Sequence, residues 1–198
     1  MQRDSDRDPR SLFAFLGTVA VVSVGVALLF RALVVQVYLV PSESMRPALQ
    51  VGDRVLVDKL SHRWRPIQRG DIIAFDGTDV WGSQANGLIV AKRVIGVPGD
   101  HVTCCDAAGR VVRNGVALDG SGVTGRSPAF DVVVPEGRLW VLGDDREHSR
   151  DSATFTGSPG GGGVPVSHVI GRAVAVVWPV DRAGILGMPG TEDPDDAA

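Results

Sequence analysis

From Ser11 to Phe30 the chain carries no charged residue, and Leu, Val, Ala and Phe fill most of those 20 positions. Coiled at about 1.5 Å per residue, such a run spans about 30 Å, the thickness of a bilayer's hydrocarbon core. A cleaved secretory signal has a shorter apolar region, roughly 7–15 residues, with a small-x-small site just beyond it. Here Arg31-Ala32-Leu33-Val34 follow instead. The expectation is an uncleaved transmembrane helix over residues 11–31, preceded by a disordered tail of mixed charge over 1–10. Arg3, Arg7, Arg10 and the amino terminus lie before the helix and Arg31 and Arg46 after it, a small positive-inside bias towards a cytoplasmic N-terminus. A long C-terminal domain can be translocated whatever its charge, so a domain outside the cytoplasm is allowed by this pattern.

At 198 residues there is room for that anchor and one domain of ordinary size. Beyond the helix the grammar is β. The segments 34–40, 54–58, 71–75, 88–97 and 138–142 are rich in strand formers. Asp76-Gly77, Asn86-Gly87 and Asn114-Gly115 read as turns between them, the last as a tight hairpin between 110–113 and 116–118. Val169 to Trp178 is apolar but too short to cross a bilayer, and reads as the last core strand. The Gly-rich stretch 157–163 reads as a mobile loop. It is no phosphate cradle, because no Gly-Lys-Ser/Thr follows it. The fold class expected is mainly β with one N-terminal transmembrane helix, the domain occupying 32–182 and a loose acidic tail 183–198.

A net charge of −3 and a pI near 5.8 leave no basic footprint for nucleic acid. The adjacent Cys104 and Cys105 do not make a metal site, since no third or fourth ligand stands at metal spacing. Neither a metal nor a cofactor is expected, and the pair is left open between a vicinal disulfide and two thiols. Arg supplies nearly all basic positions, and Lys59 and Lys92 are the only lysines. A role that needs an uncharged amine can be filled only by Lys, because Arg stays protonated.

Pro41-Ser42-Glu43-Ser44-Met45-Arg46-Pro47 places two serines between prolines that fix the local backbone. In the strand around Lys92, period two puts Leu88, Val90, Lys92 and Val94 on one face and Ile89, Ala91, Arg93 and Ile95 on the other. Arg93 then needs a carboxylate, with Asp144 and Asp151 as candidates. An ammonium among aliphatic side chains is poorly solvated, which lowers its pKa. Moving it from about 10.4 to about 8 takes roughly 3 kcal/mol, and such an amine is a competent base for a serine hydroxyl. No Gly-x-Ser-x-Gly and no Ser-x-x-Lys occurs, which removes the α/β-hydrolase and penicillin-binding arrangements. His62, His101, His148 and His168 stand in no informative context.

Four segments together resemble the type I signal peptidases, or leader peptidases, in that family's order: 41–49 around Ser44, 52–59, then 69–75 joined to 92–100, and 143–152. The resemblance implies an extracytoplasmic, mostly β, coiled-sheet Ser/Lys protease of the bacterial cell membrane. Such an enzyme removes signal peptides from secreted preproteins at Ala-x-Ala sites. It implies Ser44 as nucleophile, Lys92 as general base, Ser42 sharing an oxyanion hole with the Ser44 backbone N–H, and Ser149 aiming the lysine. Asp151 would belong to a supporting ion-pair network that also uses Arg93. Met45, Val90 and Ala91 are candidates to line shallow pockets for small side chains. The partners implied are preproteins and the lipid bilayer, with no nucleic acid, and the expected state is a monomer. About 13 residues separate the helix end from Ser44, which holds it within roughly 45 Å of the interface. Asp145, Glu147, His148 and Ala153 depart from the family pattern Gly-Asp-Asn-Arg-Asp-Asn-Ser-x-Asp-Ser-Arg, which puts the supporting shell rather than the dyad in question. Two rival readings are a Ser/Lys autoprotease of the SOS-repressor type, which lacks a membrane helix and carries a DNA-binding half, and a catalytically silent, membrane-anchored β binding domain.

Overall fold

The structure, a computed structural model, describes residues 9–82, 89–118 and 123–187, and within its first helix the side chains from Leu12 to Leu28 and Val34. The expected tail over 1–8, the Asn86-Gly87 turn, Leu88 and the acidic end from residue 188 lie outside the described residues. Helix α1 (Pro9–Val34) is 26 residues long. Every described side chain from Leu12 to Leu28 faces outward, Phe13 being 72% and Val21 73% exposed. Thr18 returns its hydroxyl to the Ala14 carbonyl at 2.9 Å, which satisfies it within the helix. A helix on a soluble core shows one apolar stripe, whereas α1 is apolar all round. Among the described residues, however, no helix is long and apolar enough to cross a membrane. The side chains of α1 from Leu12 to Leu28 cover 17 positions, about 26 Å of helix against a hydrocarbon core of about 30 Å.

The chain passes from α1 straight into β1 (Val35–Leu39), which pairs antiparallel with β2 (Arg54–Asp58). Six further strands complete the first sheet: β3 (Ile72–Asp76), β4 (Ile89–Gly96), β9 (Arg138–Leu142), β10 (Val164–Pro165), β11 (Val169–Trp178) and β12 (Gly184–Ile185). Its order is β1-β2-β11-β3-β4-β9-β10, with β12 added to β11. The register of β11 shifts between Val169 and Gly171, between Ala173 and Ala175, and between Val176 and Trp178, and that of β4 shifts between Val94 and Gly96. Each irregularity adds twist, so the sheet coils rather than lying flat. At Gly171 a Cβ would lie 2.2 Å from the Asp58 carbonyl oxygen, so only glycine admits the close approach of β11 to the end of β2. A second sheet, in order β7-β6-β5-β8, contains β5 (His101–Cys104), β6 (Val111–Arg113), β7 (Val116–Ala117) and β8 (Phe130–Val133).

The two faces of the β3–β4 ladder are both buried, as the apolar run on β3 requires. Ile72 and Ala74 pack with Val40, Met45, Leu49, Val55 and Val57 on one side. Ile73 and Phe75 pack with Trp81, Val94, Val141 and Phe155 on the other. A third cluster, including Ile95, Val102, Phe130 and Trp140, draws on residues of both sheets. Buried ion pairs hold loops to strands. Arg172 donates to Asp71 (2.8 Å), Ser61 Oγ (3.0 Å), the Arg65 carbonyl (2.7 Å) and the Pro66 carbonyl.

The strand readings hold within a residue or two, and the Asn114-Gly115 hairpin is present, both residues having positive φ (50° and 85°). Three features differ from expectation, and a fourth settles a point left open. Asp76-Gly77 opens a short helix, α2 (Gly77–Trp81), because the Asp76 carboxylate accepts the Thr78 amide at 2.8 Å. The Gly-rich stretch 157–163, read as mobile, is pinned: Trp81 Nε1 donates to the Gly162 carbonyl (3.0 Å) and Arg138 to the Gly163 carbonyl (2.8 Å). Ordered chain continues beyond residue 182, since Gly184 and Ile185 pair with Val176 and Ala175. Cys104 and Cys105, left open above, are joined as a disulfide.

Candidate active site

The segment carrying Ser44 is a loop pinched at its base, where the Val40 amide meets the Asp53 carbonyl (2.9 Å) and the Gly52 amide meets the Val40 carbonyl (3.0 Å). Met45 and Leu49, 2% and 0% exposed, anchor it in the core beneath β3. Turn hydrogen bonds from the Arg46 amide to the Glu43 carbonyl (2.9 Å) and from the Leu49 amide to the Met45 carbonyl (2.8 Å) fix its path. Ser44 is thereby buried, with its hydroxyl 3.3 Å from the exposed Ser42 hydroxyl. Alternation of apolar anchor and polar presentation is what this seven-residue segment encodes.

A second loop, 143–152, docks onto the first. The Asp145 amide donates to the Ser44 carbonyl at 3.1 Å. Gly143 is wedged so tightly that a Cβ would lie 2.4 Å from that carbonyl oxygen and 2.3 Å from Ser149 Oγ. Among the described residues Ser149 Oγ is buried with no hydrogen-bond partner, a hydroxyl with capacity to spare beside Ser44. Asp151 accepts the amides of Gly143 (3.0 Å) and Ala153 (3.2 Å), and Ser152 Oγ accepts the Val141 amide (3.0 Å). These bonds tie the loop back to the end of β9.

Lys92 sits in β4 opposite Ile73, is 3% exposed, and lines the same cleft as Ser44. Burial pushes its pKa down to about 8, the carboxylates of Asp151 and Asp144 offsetting part of the drop. Its neighbour Arg93 points to the opposite face and donates to both oxygens of Asp144, at 2.8 and 2.7 Å. Of the two carboxylates that were candidates for Arg93, Asp144 takes both guanidinium hydrogen bonds. Register places Arg93 against Leu142, two residues before Asp144, while the Asp151 carboxylate turns to backbone amides. The cleft, of about 230 Å³, runs along β4. Strand β9 pairs with β4 only from Arg93 onward, so the edge Ile89–Lys92 has no strand on that side among the described residues.

Of the residues singled out from sequence, Ser42, Ser44, Met45, Val90, Ala91 and Lys92 line this one cleft. Ser149 and Asp151 stand behind it, and Arg93 stands on the other face. Trp81, His148, Arg150 and Phe155 also line it and were not anticipated, because Trp81 comes from a short helix with no periodic signal and the other three from a loop region far from it in sequence. His148 is bound to Asp145 (3.0 Å), whose charge raises its pKa. Among the described residues no cluster of His, Cys, Asp and Glu is placed to hold a metal.

A mainly β domain that sets a serine hydroxyl and a buried amine in one apolar cleft fits the class of serine hydrolases. Similarity to known proteins narrows this class. The model of the family "Signal peptidase, peptidase S26" matches residues 13–178. "Probable signal peptidase I" of Mycobacterium leprae is 34% identical, with 92% of this chain and 82% of that protein covered. "Signal peptidase I" of Leptolyngbya laminosa is 41% identical over 84% of this chain and 80% of its own length. "Probable signal peptidase I-2" of Synechocystis is 35% identical over 93% and 82%. The chain belongs to the signal peptidase family, peptidase S26.

Proposed function

We propose that this chain is a membrane-anchored serine endopeptidase that cleaves N-terminal signal peptides from exported preproteins after small residues, with Ser44 as nucleophile and Lys92 as general base. The observation that carries the reading is the burial of Lys92 in the cleft of Ser44, which brings its pKa to about 8. Neutral Lys92 takes the Ser44 proton as Oγ attacks the scissile carbonyl carbon. The resulting oxyanion is held by the Ser44 backbone N–H and the Ser42 hydroxyl, each such donor being worth about 2.7–4 kcal/mol. The C–N bond then breaks, the lysine returns its proton to the leaving amine, and water, deprotonated by the same amine, releases the signal peptide from Ser44. Ser149 and Asp151 act as positioning residues, the first through its uncommitted hydroxyl and the second by holding the loop that carries it.

Strand addition along Ile89–Lys92 would supply main-chain hydrogen bonds to the substrate. Helix α1, apolar all round and bearing exposed side chains, is the anchor that keeps this single-pass chain at the outer face of the bacterial membrane, where a preprotein's apolar segment ends. The enzyme works as a monomer. The test is a preprotein with an Ala-x-Ala site presented in lipid vesicles to wild type, Ser44→Ala and Lys92→Arg. Both variants should lose turnover, and kcat/KM of the wild type should rise with pH through about 8. Retained cleavage by Lys92→Arg would sink the mechanism, because a guanidinium cannot serve as the base.

A further inference from the structure

A peptide strand laid on the Ile89–Lys92 edge sends successive side chains to opposite faces of the sheet. The two faces differ here. One is the side of Ala91, Ile89 and Met45, mostly aliphatic, with Tyr38 packed against it. The other is the side of Val90, and its wall is aromatic. Trp81 stacks on Phe155 (centroids 4.7 Å, planes at 15°) and meets Phe75 edge-on (5.1 Å, 88°). The Arg150 guanidinium caps the stack at 5.3 Å from the Phe155 ring centre. Trp81, Phe155, Arg150 and Val90 all border the cleft that holds Ser44.

The wall is fixed by the Gly-rich segment. Trp81 Nε1 donates to the Gly162 carbonyl (3.0 Å), and at Gly162 a Cβ would lie 2.3 Å from the Ser152 carbonyl oxygen. Only glycine lets that carbonyl come down onto the indole, with φ at 82°, in the left-handed region. The segment thus holds one aromatic side chain in one orientation at the cleft.

We infer that Trp81 and Phe155 form a recognition wall for the side chain between the two small ones of a small-x-small site, and that it selects large apolar or aromatic residues there. This rests on the peptidase reading above. If the small side chains enter the Met45 and Ala91 face, the one between them must point to the Val90 face. It then meets ring surface instead of water. Val90 accordingly belongs to this second subsite and not to the small-residue pocket.

The experiment uses the full chain in detergent micelles with one preprotein in which x of Ala-x-Ala is Ala, Leu or Phe. The readout is kcat/KM for x = Phe divided by that for x = Ala, a ratio independent of how much enzyme is folded. Wild type should favour Phe by about tenfold or more, within the range that apolar subsite contacts supply. Trp81→Ala should bring the ratio near one, and Trp81→Phe should restore part of it. Cleavage of the x = Ala substrate with a wild-type ratio near one, or a ratio unchanged in Trp81→Ala, overturns this inference and leaves the peptidase reading standing. No cleavage of any member by wild type overturns both.

Discussion

Replacing Lys92 by Met should make the protein more stable while making it inactive. A drop in pKa from 10.5 to about 8 corresponds to about 3 kcal/mol of unfavourable burial of the ammonium. At pH 7 the amine is still mostly protonated, so the folded state bears that cost, whereas the unfolded chain does not. Met keeps an unbranched apolar stem of similar length and carries no charge, so Lys92→Met should gain about 2–3 kcal/mol at pH 7. The sign of the pH dependence follows from the depressed folded pKa. Below about 8 both states of the wild type are protonated and the penalty is constant. Between about 8 and 10.5 the unfolded chain keeps the proton that the folded one has shed, so the wild type gains stability as pH rises. Above that window the penalty has gone. The advantage of the Met variant should therefore be flat to pH 8, shrink by about 1.4 kcal/mol per pH unit, and vanish near the unfolded pKa. Urea unfolding of both proteins in detergent micelles, followed by tryptophan fluorescence at a series of pH values, measures this difference directly. A variant no more stable than wild type at pH 7, or a difference that does not change between pH 8 and 10, would refute the reasoning.

Gly143→Ala forces a methyl group into the Ser44 carbonyl and Ser149 Oγ, and should lower kcat about a hundredfold for a stability loss of only about 1–3 kcal/mol, read by preprotein cleavage and urea unfolding. Asp71→Ala leaves Arg172 charged and 5% exposed, and should cost about 3–5 kcal/mol in urea unfolding, because the remaining carbonyl and hydroxyl acceptors do not neutralise it. Asp145 raises the pKa of His148 through a hydrogen bond and its charge, so Asp145→Asn should move the His148 titration to lower pH by NMR, and an unmoved midpoint would contradict the pairing. In the same substitution the Asp145 amide keeps its bond to the Ser44 carbonyl, so kcat at pH 8 should change far less than in Gly143→Ala.

Much of this protein could be read from the order of its residues. Local chemistry sufficed wherever a neighbour in sequence is also the neighbour in space. The β-forming runs gave strands within a residue or two, and Asn114-Gly115 gave the hairpin that its positive φ values require. The parity of β4 set Lys92 and Val90 against Ala91 and Arg93, and the choice of lysine over arginine marked the basic residue whose pKa burial lowers. Other features depended on groups that meet only after folding. Arg93 chose Asp144 over Asp151 because register with β9 put one carboxylate alongside and turned the other to backbone amides. Asp76-Gly77 caps a helix start rather than a turn, and where α2 then lays Trp81, on Phe155, is a contact with a distant segment. The Gly-rich stretch looked mobile because glycine has no side chain to hold it, yet its carbonyls are held by Trp81 and Arg138 from distant parts of the chain. Periodicity and composition carry information along the chain, whereas a wall, an ion pair or a pinned loop is a relation between segments whose separation in sequence bears no relation to their distance in space.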